Sequence, residues 1–298
     1  MKKHFRNPCG KRGEKIFSNI CVIPSLIGVL IFFLIPFLIV IYYSLINNTQ
    51  QGEFVGLENY TALIHNTAFQ KASKNTALFS CIAIPLAVII PLWLAVILER
   101  NIPGKSIFRT FFLSPLMVPT ASVVLVWQVL FHDHGTVNQI IEKFGGKPIE
   151  WLTSSYGMAV IVLMFLWKNI GYNMILFMSA LGSIPKDLME VAELEGASKM
   201  YKFFHIKLRY MSPTIVFVII LSLISSFKIF REIYLLIGNY PIENLYTLQH
   251  FMNNTFEKFN YLNYQKLSTS AVLFSLVMIV IIAILLISEH FFGKDVES

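Results

Sequence analysis

The distribution of charge constrains this chain more than any other feature. No Asp, Glu, Lys or Arg occurs between Lys15 and Glu53, between Lys74 and Glu99, between Arg109 and Asp133, or between Lys266 and Glu289. Each gap exceeds the ~20 residues a helix needs to cross hydrocarbon, where a backbone must satisfy its own hydrogen bonds. Two further apolar stretches are less clean, one interrupted by Lys168 and one ending at Lys228. We therefore expect an all-α polytopic membrane protein with six transmembrane helices, at about residues 20–45, 76–98, 110–131, 156–179, 210–230 and 267–287. A basic arm (1–19) precedes this membrane region (20–290) and a short tail (291–298) follows it. No loop is long enough for a separate catalytic domain. Composition agrees: 55% of residues are apolar and 14% charged, against roughly 25% charged in an average soluble domain, which excludes disordered, disulfide-scaffold and coiled-coil classes.

Orientation follows from Lys and Arg. Fifteen of the 24 basic residues fall in the arm, in the loop holding Arg100, Lys105 and Arg109, in the loop 180–209 and in the tail. Seven fall on the opposite side, and Lys168 and Lys228 lie within spans. Both termini are expected to be cytoplasmic, in a bacterial-type cell membrane. The net charge of +7 then reflects topology and contact with lipid headgroups rather than nucleic-acid binding. The first apolar stretch is too long for a secretory signal and lacks a small-residue cleavage site, so it reads as an uncleaved span. Cys9, Cys21 and Cys81 are odd in number and lie in or beside cytoplasmic or apolar segments, which argues against a disulfide framework.

Two motifs mislead. Gly104-Lys105-Ser106 resembles the end of a phosphate-binding loop, but position 99 is Glu where that loop needs Gly, and a membrane span precedes it. His132 and His134 could face one metal, yet nothing nearby completes a ligand set. Paired acids, Ser/Lys and His/Glu-x-x-His arrangements of intramembrane hydrolases are missing from the spans. We therefore expect neither a catalytic residue nor a metal site.

The loop before the fifth span carries more information. Ser183 can cap a helix, Pro185 suits its first turn, and Asp187 and Glu190 suit its positive N-terminal end. Gly196 supplies a left-handed stop. A second helix follows, with an apolar stripe of Met200, Tyr201, Phe203, Phe204 and Leu208, and with Lys199, Lys202 and Lys207 expected to face water or headgroups. Pro213 then sits in the first turn of the fifth span. The pattern alone leaves open an interfacial anchor and a protein-docking knob.

The run Glu190-Val191-Ala192-Glu193-Leu194-Glu195-Gly196-Ala197, followed by Phe203, Ile206, Leu208 and Pro213, resembles the EAA loop of permease subunits of ABC importers. Val191 replaces the family's first Ala, Glu195 its Asp, and Arg209 its first Pro. Residues 20–290 are similar to the sugar-uptake branch, which includes maltose-type and other oligosaccharide permeases. The matching segments are Val55-Gly56-Leu57-Glu58-Asn59-Tyr60, Asn75-Thr76, the run from Phe108 to Pro115, and Trp167, Gly171 and Ser183-Ile184-Pro185; Ile237-Gly238-Asn239-Tyr240-Pro241 matches only loosely. The resemblance implies the type I importer permease (MetI-like) fold, and a coupling helix from Leu188 to Lys199 seated in a cleft of a cytoplasmic ATPase. Its contact residues would be Leu188, Glu190, Ala192, Glu193, Glu195, Gly196 and Ala197. ATP and Mg would be used by that partner, with no cofactor bound here. Two ATPase subunits need two such loops and this chain has one, so a second, similar but non-identical permease chain is implied, together with an extracytoplasmic solute-binding protein. A permease for polyamines, peptides or anions is the alternative within the class. An ATP-independent channel or membrane anchor is the alternative outside it.

A polyol path needs aromatic faces and fixed hydrogen-bonding groups. The fourth span offers Trp167, Lys168, Asn169, Tyr172 and Asn173, with 168 and 172 on one helical face and 169 and 173 on the next. Gln128 and Ser225 are further candidates, though they and Ser226 could equally bond neighbouring helices. A charge at this depth normally faces a partner or a cavity, which makes Lys168 the leading candidate. Lys228 could snorkel to the outer surface. Prolines 24, 36, 85, 91, 115 and 119 suggest bent helices.

Overall fold

The computed structural model describes residues 21–47, 52–99, 104–257 and 264–293. The basic arm, Arg100 and the tail from Lys294 lie outside them. Helix dominates, and the sole β-type pairing among the described residues is one bridge between Ile46 and Phe54. Five helices are long and apolar enough to cross a membrane, and a sixth crossing requires a bent pair to count as one span.

The chain divides into two compact units. The first holds α1 (Cys21–Ser44), with a π-helical turn at Leu30–Leu34, α2 (Glu58–Ile64) and the start of α13 (Tyr264–Gly293). The segment 55–60 has a structural task there. Asn59 donates to the carbonyls of Ser44 and Ile46 at 3.0 and 2.9 Å, and Tyr60 shares a 2.7 Å hydrogen bond with the Ser44 hydroxyl. These bonds satisfy carbonyls that the end of α1 leaves open. Tyr43 meets Tyr264 with ring centroids 5.7 Å apart.

The second unit is built on α3 (Thr67–Glu99), which packs along α7 (Gly157–Gly182), while α10 (Ser212–Phe227) lies against both. α3 begins at Thr67 rather than at Thr76, because Asn66 caps it through the Phe69 N–H. Its added turns bury Phe69 and Ala72 while leaving Lys71 only partly covered. Pro85 and Pro91 sit within this continuous helix. α4 (Lys105–Met117) lies on α7, and close approach is possible because residue 171 is Gly: a Cβ there would collide with the Phe112 carbonyl.

The expected third span is not one helix. α4 ends at Met117, Val118 is extended (φ −82°, ψ 131°), and α5 (Thr120–Leu130) departs at 99°. Pro119 accounts for the break, since it disfavours helical backbone at the preceding residue and donates no N–H. The fifth span is longer than expected. α10 ends at Phe227, Lys228 and Ile229 make a turn, and α11 (Phe230–Ile237) extends the span to Ile237. α6 (Thr136–Lys143) and α12 (Leu248–Glu257) complete the unit's connecting segments. Two apolar clusters stabilise it, one around Phe79, Trp127, Ile161 and Phe165, the other around Met174, Phe177, Met211 and Val218.

Candidate functional site

Helix α8 (Lys186–Leu194) and the helical run 199–210, called α9, form the loop between α7 and α10. The helix thus ends well before Lys199. Gly196 (φ +77°) stops it: the Ala197 N–H donates to Ala192 O at 2.9 Å and the Gly196 N–H to Glu193 O at 3.0 Å. This pair of bonds is a Schellman stop, whose left-handed residue favours glycine. The start differs from expectation too. Pro185 occupies the N-cap position itself, and the Ser183 hydroxyl donates back to Ala180 O at 2.8 Å instead of capping. Ser198 caps α9, accepting from the Tyr201 N–H at 3.2 Å.

On α8, Leu188, Val191 and Leu194 follow a spacing of three and are all exposed, Leu194 to 88%, so they form one apolar row. Ala192, one turn on from Leu188, is buried, and Glu190 and Glu195 are exposed. An apolar row outside the spans, flanked by carboxylates, is the form of a docking surface. Two of the lysines expected in water are elsewhere. Lys202 is 8% exposed and its Nζ lies 2.5 Å from Glu193 Oε1, which holds the Glu193 carboxyl below its ordinary range through the hydrogen bond and the charge. Lys207 Nζ lies 2.5 Å from Glu99 Oε2 at the end of α3. Both therefore close ion pairs within the loop and its neighbours.

A second polar cluster sits midway along α7. Lys168 Nζ lies 2.6 Å from Glu232 Oε1 on α11 and donates to Thr120 Oγ1 on α5 at 3.2 Å. Pairing offsets part of the cost of holding a charge in hydrocarbon. Lys168, Asn169, Ser225, Lys228 and Glu232 line one cavity of about 180 Å³, together with apolar residues such as Leu116 and Phe165. Three of the expected path residues, Lys168, Asn169 and Ser225, thus meet.

The others do not join them. Asn173 is 2% exposed and donates to Ala87 O at 2.8 Å and to Ser222 Oγ at 3.3 Å, so it fastens α7 to α3 and α10. Trp167 is 42% exposed and meets Trp127 in a T-shaped contact, and Tyr172 is similarly exposed; neither lines the cavity. Gln128 donates to Leu236 O at 2.9 Å and lines a different cavity of about 540 Å³ beside His132 and His134. Ser226 bonds Ser80 at 3.1 Å. Among the described residues no group of His, Cys, Asp and Glu could hold a metal ion.

Sequence reasoning missed Glu232 and Thr120. Ending the fifth span at Phe230 placed Glu232 in a loop. The apolar run Ile233 to Ile237 was the signal that the helix continued past it. Also unforeseen was the task of Asn75 and Thr76 at the far end of α3. Asn75 donates to the carbonyls of Glu243 and Tyr246 at 2.6 and 3.0 Å, and Thr76 Oγ1 accepts from the Leu248 N–H at 2.8 Å. Together they hold the segment 243–248 on α3.

Residues 83–298 match the family described as binding-protein-dependent transport system inner membrane component. The chain is 32% identical over 278 residues to the arabinooligosaccharides transport system permease protein AraP of Bacillus subtilis (strain 168), covering 91% of this chain and 87% of that protein. It is 30% identical over 236 residues to the trehalose/maltose transport system permease protein MalF of Thermococcus litoralis, covering 78% and 80%. A solved bacterial ABC transporter involved in the import of the acidic polysaccharide alginate contains a chain that aligns with a TM-score of 0.79 at 19% identity, covering 94% of this chain and 96% of that one. The same fold recurs, with a TM-score of 0.80 and 19% identity over 95% and 96% of the two chains, in the alginate transporter complexed with its pentasaccharide-bound periplasmic protein.

Proposed function

The chain belongs to the family of binding-protein-dependent transport system inner membrane components, and on that premise we propose that it is the non-catalytic permease subunit through which an ATP-driven importer moves an oligosaccharide or related sugar. The observation that carries this reading is α8. An exposed row of Leu188, Val191 and Leu194, with Glu190 beside it, ends in the Gly196 stop outside the spans. Such a helix needs a partner to cover it, and a cytoplasmic ATPase with a basic group facing Glu190 suits that role. The excess of Lys and Arg on this loop's side favours the cytoplasmic face of a bacterial cell membrane.

One chain supplies one such helix, and an ATPase dimer has two lobes to engage. A second, non-identical permease chain completes the assembly, and a solute-binding protein delivers solute to the outer loops. ATP and Mg belong to the ATPase chains. The cavity at Lys168, Asn169, Ser225 and Glu232 supplies ammonium, amide, hydroxyl and carboxylate groups that sugar hydroxyls can use, so we assign it to the solute path. Reciprocal opening of the spans toward the two faces is then driven by ATPase closure.

The test is gentle purification from the native host with identification of every co-purifying chain, followed by reconstitution and uptake of labelled oligosaccharide delivered by the binding protein. ATP-dependent uptake is expected, and Glu190→Lys or Gly196→Pro should lower both uptake and ATPase retention by more than tenfold. Unaltered uptake with the ATPase still bound in both variants, or solute flux without ATP, overturns the proposal.

A further inference from the structure

The loop that carries α8 is tied to the rest of its unit at two charged points. Lys202, nearly fully buried, closes on Glu193 of α8; Lys207 closes on Glu99, the last residue of α3. The backbone between them, Lys202–Lys207, is π-helical. In an α-helix residues five apart point about 140° away from each other. The wider π turn, bonded i to i+5, brings them nearer to one side. A π segment is uncommon and concentrates at functional positions, and here it lies between the two ion pairs.

What Lys207 holds is also notable. α3 runs 33 residues from Thr67 to Glu99, about 50 Å at the helical rise. At its far end Asn75 and Thr76 grip the outer segment 243–248 with three hydrogen bonds. One continuous helix therefore connects the coupling loop to an outer loop. Along the way it packs on α7, which carries Lys168 and Asn169, and on α10, which carries Ser225.

We propose that Lys202 and Lys207 are positioning residues of a two-point strut, Glu193–Lys202 and Lys207–Glu99, that transmits displacement of α8 to α3 and through it to the outer segment 243–248. Without the strut, movement of α8 is absorbed by the Gly196 turn. With it, α8, α9 and α3 move together. Thermodynamic linkage makes the route reciprocal for binding: a binding protein docked outside biases the position of α8 inside, and with it the arrangement of the ATPase that α8 engages. The strut rests on the permease reading above, which supplies the ATPase and the binding protein.

The experiment measures ATPase activity of the full reconstituted complex with and without loaded binding protein, for wild type, Lys202→Met, Lys207→Met, Glu99→Gln and the exchange Glu99→Lys/Lys207→Glu. The two lysine variants should assemble and keep basal hydrolysis, while stimulation by the binding protein falls about fivefold or more. The exchange should restore at least half of the lost stimulation, which a purely structural role of Lys207 does not require. Should Lys202→Met fail to assemble, Glu99→Gln tests the second pair from an exposed carboxylate and should give the same loss. Wild-type stimulation in Lys207→Met and Glu99→Gln, or no restoration by the exchange in an assembled complex, overturns the strut. A wild-type complex without ATP-dependent uptake instead overturns the permease reading itself, so the two failures are distinguishable.

Discussion

At the residue scale, the acids and bases of this protein are understood through their partners. Removing one member of a buried pair strands the other charge, at about 3–5 kcal/mol, whereas replacing both by apolar groups is often near neutral. Lys168→Met and Glu232→Leu alone should therefore each lower the thermal midpoint in detergent, and the double variant should recover most of the loss. If the cavity is the solute path, the double variant still loses uptake; a stable double variant with full uptake removes this pair from the path. His250 behaves differently. It sits at the third position of α12, where its Nδ1 accepts from the Thr247 N–H at 3.4 Å and lies 2.8 Å from the Thr247 hydroxyl, a histidine form of the capping box. Burial against Phe230 lowers its pKa to about 4. The unfolded chain, titrating near 6.5, binds the extra proton throughout that interval, so stability rises with pH from 4 to 6.5 and is lost on acidification, by about 3 kcal/mol in all. Denaturation midpoints of wild type should fall across this window, and those of His250→Asn should fall much less.

At the element scale, proline shows where local pattern stops deciding. Pro85 and Pro91 remain inside α3, whereas Pro119 ends α4 and turns α5 through 99°. All three lie in charge-free apolar runs, so no local signal separates them. Neighbouring helices settle the difference, because α4 lies along α7 and α5 along α11. Glycine gives a sharper contrast. Gly171→Ala places a methyl group on the Phe112 carbonyl, and backbone must shift to admit it. At Gly182, the last residue of α7, a Cβ meets nothing within 4 Å and the backbone is helical. Gly171→Ala is thus expected to lower the melting temperature by several degrees, whereas Gly182→Ala leaves it unchanged or raises it, through an alanine preference worth up to about 1 kcal/mol. Equal effects at both positions would count against the close packing of α4 on α7.

At the scale of the whole molecule, the sequence by itself determined that the chain lives in a membrane as helices, because hydrocarbon is the solvent that suits long runs without charge, and unbroken apolar runs of ~20 residues satisfy their backbone there as helix rather than as the alternating strands of a barrel. It also determined the loop that stops at Gly196, because a Schellman turn is local and its residues lie within six positions of one another. The family resemblance was legible there for the same reason. What tertiary structure alone decided was partnership. Lys168 finds Glu232 64 residues away, Lys207 finds Glu99 across 108, and Asn75 reaches Glu243 across 168. Side-chain period gives a direction around a helix axis but no information on which helix stands opposite. That is why Asn169 and Asn173, four apart on one face, separate into a cavity wall and a buried tie, and why Lys202 leaves the solvent its spacing assigned to it. Charge in a low-dielectric interior takes the nearest opposite charge, and only the packing of α3, α5, α7 and α11 decided which one that was.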